Sequence, residues 1–458
     1  MAARSRASVT PRGRAGRRRD PAHTGEAVAR AARERSEQER ETPRRNATGA
    51  HVPARAIRRA AARWVQDLLA VRSAFGALVM AAVASLVAGL ILASITGTLE
   101  KLPGLLLLVP AAIAVKGNIF GALRTRLRTP IHAATFRSGG RDSVMMQNAI
   151  ASVGLSLVLG VVLAVMAKGT ALAFNVSPTM SLADFVVISA LGCLLAAFVV
   201  LAITLATTAG AVRFGWDLDN VVAPMVTVAG DVVTLPSLVV AAELAGVDVL
   251  TPSIAWALTA MAVVSVLWGL RSRLDELRAI MRESLPVLTV AGLLDLVAGI
   301  TVEKRIDDFL EFPVLLVLLP GYLATAGALG GVLSSRLSTK LHLGLARPSA
   351  LPSGAARVDL ATTFALAIPV FVLLGLVASI AGGLSGHAGP SLGGLVGVAL
   401  LGGLLATVLV VIVAYYGTLA AVRFGVDPDT YGIPMVTSSL DLVGAFTLIV
   451  AVVVVGVA

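Results

Sequence analysis

Cys193 is the single cysteine in 458 residues, so an intrachain disulfide and a cysteine-based metal site are both excluded. His-Glu-x-x-His and Gly-x-Ser-x-Gly motifs are missing as well. The glycine-rich stretches at Gly327 to Gly331, Gly393-Gly394 and Gly402-Gly403 lack the Lys-Ser/Thr ending of a phosphate loop, so they read as close helix packing. Neither a hydrolase nor a nucleotide-driven pump is indicated, and the chain is not expected to be an enzyme. Aromatic residues make up only 5%, too few to suggest an aromatic-lined pocket for an organic solute. Charged residues make up 14%, low for a soluble protein.

Hydrophobic residues, by contrast, reach 57% and the mean hydropathy is +0.87. Apolar runs long enough to cross about 30 Å of hydrocarbon as helix recur along the chain, continuous and not alternating, which favours helices over a barrel. We expect an all-α polytopic membrane protein with eleven spans at 74–97, 103–122, 144–167, 183–209, 221–245, 251–270, 284–301, 313–332, 358–382, 392–417 and 433–457.

The net charge of +11 resides in one place: residues 1–63 hold 17 arginines against 6 acidic residues, and the remainder of the chain is balanced. This segment reads as a disordered, basic cytoplasmic tail that touches anionic lipid head groups, with no nucleic-acid role expected. It has no apolar h-region with a cleavage site, so it does not read as a secretory signal. With the tail inside, most other arginines fall in inside loops, and Lys101, Lys168, Lys304 and Arg305 fall at the outer edge. The expected topology is a multi-pass cell-membrane protein, N-terminus cytoplasmic and C-terminus outside.

The chain repeats itself at an offset of 210 residues. Arg213-Phe214-Gly215-Trp216-Asp217-Leu218-Asp219, Pro224-Met225-Val226-Thr227 and Asp231 recur as Arg423-Phe424-Gly425-Val426-Asp427-Pro428-Asp429, Pro434-Met435-Val436-Thr437 and Asp441. Leu86 to Gly89 recur as Leu296 to Gly299, and Pro103, Pro110 and Gly117 as Pro313, Pro320 and Gly327. The expected organisation is a tail at 1–63, a first five-span repeat at 64–246, a linker with one connecting span at 247–283, and a second repeat at 284–458. Five is odd, so the unpaired span restores direction and leaves the two repeats parallel about an axis along the membrane normal.

Asp231 and Asp441 fall about ten residues into the last span of each repeat, roughly 15 Å deep. A carboxylate there costs about 2.5–3.5 kcal/mol on insertion scales, which asks for a functional reason. Two carboxylates facing one another across an axis repel, and a dication between them cancels both charges. Magnesium suits such a site because it prefers oxygen ligands and sheds water reluctantly. Thr227, Thr437, Ser438 and Ser439 offer hydroxyls one turn away. The alternative is that both aspartates only hold the bundle together. Asp217, Asp219, Asp427 and Asp429 read as turn residues first and as an ion vestibule second. Asn118 is a candidate pore-lining or helix-bridging amide, with Ala328 as its counterpart. Asp295, opposite Ser85 in the repeat, is open between packing and ion contact. Lys116, opposite Ala326, reads either as a counterion to Asp231 or Asp295 or as a snorkelling side chain.

Val115-Lys116-Gly117-Asn118 with Arg126-Leu127, Ser335-Arg336-Leu337-Ser338-Thr339, and the two Asp-x-Asp…Pro-Met-Val-Thr…Asp blocks resemble the MgtE-type magnesium transporters, in the doubled form of the eukaryotic solute-carrier relatives. The resemblance implies a five-helix domain duplicated so that one chain, a monomeric pseudo-dimer, replaces a homodimer. It also implies that Asp231 and Asp441 bind hydrated Mg2+ in a central pore, with Mg2+ as transported ion and no organic cofactor. Sensing through CBS domains is not expected, and Ile119 and Phe120 stand where the doubled relatives carry an acidic residue. The rival readings are a proton-coupled carrier of a small solute, with the same aspartates as relays, and a non-transporting membrane scaffold.

Overall fold

The computed structural model describes residues 54–132, 143–214, 223–345, 348–352, 354–424 and 432–457. The helical bundle is the unit Gln66–Ala458. The described residues contain helices and no strands. Among the described residues eleven helices are long and apolar enough to cross a membrane, matching the eleven expected spans.

In chain order the helices are α1 (Ala54–Ser94), α2 (Thr96–Lys101), α3 (Leu105–His132), α4 (Val144–Ala173), α5 (Leu182–Val186), α6 (Gly192–Phe214) and α7 (Ala223–Ala242). They continue as α8 (Leu250–Arg271), α9 (Asp275–Glu303), α10 (Ile306–Glu311), α11 (Val314–His342), α12 (Gly354–Leu384), α13 (Leu392–Phe424) and α14 (Ile433–Val455). The 210-residue offset carries over to the elements: α2 maps onto α10, the start of α5 and end of α6 map onto the ends of α13, and α8 is the unpaired connector. Two parallel five-span repeats joined by one extra span is therefore the architecture.

Three local features depart from the expectation. Helix α1 begins at Ala54, inside the stretch assigned to the tail, while residues 1–53 lie outside the described residues. The short helices α2 and α10 follow the first span of each repeat and end before Pro103 and Pro313, whose rings disfavour helix in the residue before them. The fourth span of the first repeat is interrupted by a π-helical turn at Val187–Leu191, whereas α13 is continuous.

The halves interlock through their first spans. Helix α9 opens the second repeat yet packs on α3 and α4 of the first, as well as on α14 of its own. A methyl group at Gly299 would collide with the Leu107 backbone of α3, and one at Gly89 would collide with the Val317 backbone of α11. These two contacts are the same contact in the two halves, since both residues of each pair shift by 210. Only glycine allows so close an approach of helix backbones. Each repeat thus lends its first helix to the other, and the bundle core is continuous across both.

Candidate ion site

Pro224 and Pro434 occupy the first turn of α7 and α14, where a missing N–H costs little. Both helices then run two turns to Asp231 and Asp441. Asp231 is 6% exposed, whereas Asp441 is partly exposed although it sits in the interior of a span. On the second span of each repeat stand Gly117 and Gly327: Gly117 has open space around its Cα, and Gly327 faces the Asp441 carboxylate.

The neighbours of the two aspartates differ. Ser85 Oγ, from α1, donates to Asp231 Oδ2 at 2.6 Å. The residue equivalent to Ser85 is Asp295 of α9, and its carboxyl group contacts that of Asp441. Asp295 is fully buried: its Oδ2 accepts the Ser438 hydroxyl at 3.0 Å, and its Oδ1 has no hydrogen-bond donor. Asp231 lies within electrostatic reach of Asp441. Among the described residues no lysine, arginine or histidine forms an ion pair with any of the three.

Other expected residues take different places. Ser438 serves Asp295 and not Asp441, and Ser439 Oγ donates to the Met435 carbonyl of its own helix. Thr437 Oγ1 donates to Pro434 O, and its side chain lines a cavity of about 230 Å3 with Ser334, Ser338, Thr339 and Thr418 at the end where α14 begins. Thr227 is exposed. Asn118 lines a small cleft with Arg126, Ser284 and Pro434, contributed by α3, α9 and α14. Asp217, Asp219, Asp427 and Asp429 lie outside the described residues.

Lys116 requires a correction. Its side chain is fully buried, so it does not snorkel, and its amine has no hydrogen-bond partner. Its titratable neighbour is the buried Cys193 thiol of α6, not Asp231 or Asp295.

Glu303 was not anticipated from the sequence. At the last residue of α9, its Oε1 accepts the Gly104 N–H at 2.7 Å. A carboxylate from one half therefore satisfies an orphan donor at the start of α3 in the other. Its signal in the sequence is an acidic residue at the end of an apolar span beside Lys304-Arg305, with Ala93 at the equivalent position.

Among the described residues no three His, Cys, Asp or Glu side chains gather closely enough to be direct ligands of one metal ion. A pair of mid-span carboxylates with small residues opposite suits an ion that keeps much of its water shell.

The model of the MgtE divalent cation transporters matches residues 109–241 and again residues 319–451, together more than half of the chain. The chain belongs to the MgtE family. The two matched MgtE segments are themselves 210 residues apart and end inside α7 and α14, so each contains one of the paired aspartates. No curated protein matches the chain. Among solved structures it is similar to the eukaryotic MATE transporter AtDTX14, at 12% identity over 85% of this chain and 96% of that one, with a TM-score of 0.34. A MATE transporter in complex with Br-NRF aligns at 14% identity over 84% of this chain and 97% of that one, with a TM-score of 0.27. Scores this low carry no argument about fold or cargo.

Proposed function

We propose that the protein moves magnesium across the membrane along the pseudo-two-fold axis between its halves, and that Asp231 and Asp441 hold the hydrated ion midway. One observation carries this reading: two carboxylates at equivalent positions of the repeat, within electrostatic reach of each other, have no cationic partner among the described residues. Such groups ask for a mobile positive charge. Magnesium is the ion because the family carries divalent cations and because a dication bound through retained water needs few direct ligands.

The chain works as a single-polypeptide pseudo-dimer, since each half already receives its first helix from the other. Its N-terminus faces the cytoplasm, where the arginine-rich tail meets anionic lipid, and its C-terminus lies outside. Purified protein reconstituted into liposomes loaded with a magnesium-sensitive dye tests the reading. Uptake driven by an inside-negative potential, and absent from protein-free liposomes, supports it. Equal signals in the two preparations overturn it.

A further inference from the structure

The two halves do not present the same charge to the axis. In the first, Ser85 supplies a hydroxyl donor to Asp231. In the second, the same position holds Asp295, which brings another acceptor against Asp441. Two ionised carboxyl groups in contact repel each other, and burial deepens the penalty. No cation among the described residues relieves it: Ser438 donates to Oδ2 of Asp295, Oδ1 is buried with no donor outside the carboxyl pair, and the buried lysine on α3 is turned toward Cys193. Asp295 thus presents a fully buried carboxylate oxygen without a donor, on a side chain in contact with the partly exposed Asp441.

We propose that Asp295 is a third carboxylate of the ion site, so that the second half contributes two negative charges and the first half one, and that this surplus sets the preference for dications over monovalent ions. The inference rests on the axial reading of Asp231 and Asp441. Its physical basis is that Coulomb attraction scales with the product of the charges, so adding or removing one carboxylate changes the binding of a dication by twice as much as that of a monovalent ion. A residue that only packed α9 against α14 would alter both equally.

The test compares wild type with Asp295→Asn, Asp295→Glu and Ser85→Asp in liposomes, reading the half-saturating magnesium concentration and the ratio of magnesium to potassium flux. Asp295→Asn keeps the shape and the Ser438 hydrogen bond, and is expected to raise half-saturation about tenfold or more and to lower the flux ratio. Asp295→Glu is expected to restore much of both. Ser85→Asp adds a carboxylate at the equivalent place and is expected to shift half-saturation downward, which keeps the test decisive if Asp295→Asn folds poorly. Unchanged half-saturation and flux ratio in Asp295→Asn, or in Ser85→Asp where the former cannot be purified, overturns the proposal. If Asp295→Asn behaves as wild type while Asp231→Asn and Asp441→Asn are inactive, this inference alone falls. If the double variant Asp231→Asn/Asp441→Asn still transports fully, the axial reading falls with it.

Discussion

Gly89 of α1 lies against the backbone of Val317 in α11, so closely that a side chain of any size collides with the Val317 carbonyl. The same relation joins Gly299 and Leu107, and the two contacts clamp the halves from both sides. Main-chain atoms cannot move aside as a flexible side chain can. Gly89→Ala and Gly299→Ala are therefore each expected to destabilise the bundle by roughly 1–3 kcal/mol, the usual range for overpacking. A lower melting temperature in detergent, with broadened size-exclusion profiles, checks this. Gly97→Ala, at a position with open space around it, serves as the control and should leave both unchanged.

Glu303 joins the halves one turn beyond Gly299, at the last residue of the same helix. Removing its carboxylate strands the N–H group of Gly104 at the start of α3. Glu303→Ala is expected to cost about 1–3 kcal/mol of stability, as for other buried hydrogen-bond partners left unmade. Glu303→Gln should recover part of it, because the amide oxygen still accepts while the favourable charge at the helix N-terminus is lost. Flux per folded molecule should stay near wild type, since Glu303 is not among the carboxyl groups around Asp441.

Lys116 offers a prediction of opposite sign. Its amine is buried without a hydrogen bond, and the second half has Ala326 in its place. Lys116→Met keeps the volume and removes a polar group that burial penalises, so it is expected to raise stability by about 1 kcal/mol or more. Thermal unfolding checks the stability, and magnesium uptake checks the function. A destabilised, inactive Lys116→Met would mean that the amine has a partner beyond the neighbours seen in the structure.

These positions mark where the sequence was readable and where it was not. Span number, helical class and the repeat follow from long apolar runs and the matched Arg-Phe-Gly and Pro-Met-Val-Thr blocks, because hydropathy and self-similarity are properties of the chain alone. Asp231 and Asp441 were legible as a pair because they fall at equal depth in equivalent spans. Which helices touch is a different matter. Gly89 and Gly299 were visible as repeat markers, yet nothing in their surroundings says that each packs on the opposite half. For the same reason Asp295 stayed ambiguous: its meaning depends on α9 lying beside α14, a neighbour that periodicity does not name. Lys116 was misread because the sequence does not name the helix beside it: its amine is fully buried with Cys193 of α6 as its titratable neighbour. The Thr437 hydroxyl bonds the Pro434 carbonyl of its own helix, a local choice that sequence spacing does not reveal.

The central claim is that an ion passes between the two halves and is held by one aspartate from each. Its most direct measurement is magnesium uptake into dye-loaded liposomes by wild type, Asp231→Asn, Asp441→Asn and the double variant, each verified as folded and present at equal protein-to-lipid ratio. The substitutions preserve shape and remove charge, so each single variant is expected to lose at least about tenfold in rate, equivalent to about 1.4 kcal/mol, and the double variant to fall to the level of protein-free liposomes. Wild-type magnesium uptake in the double variant would contradict the account.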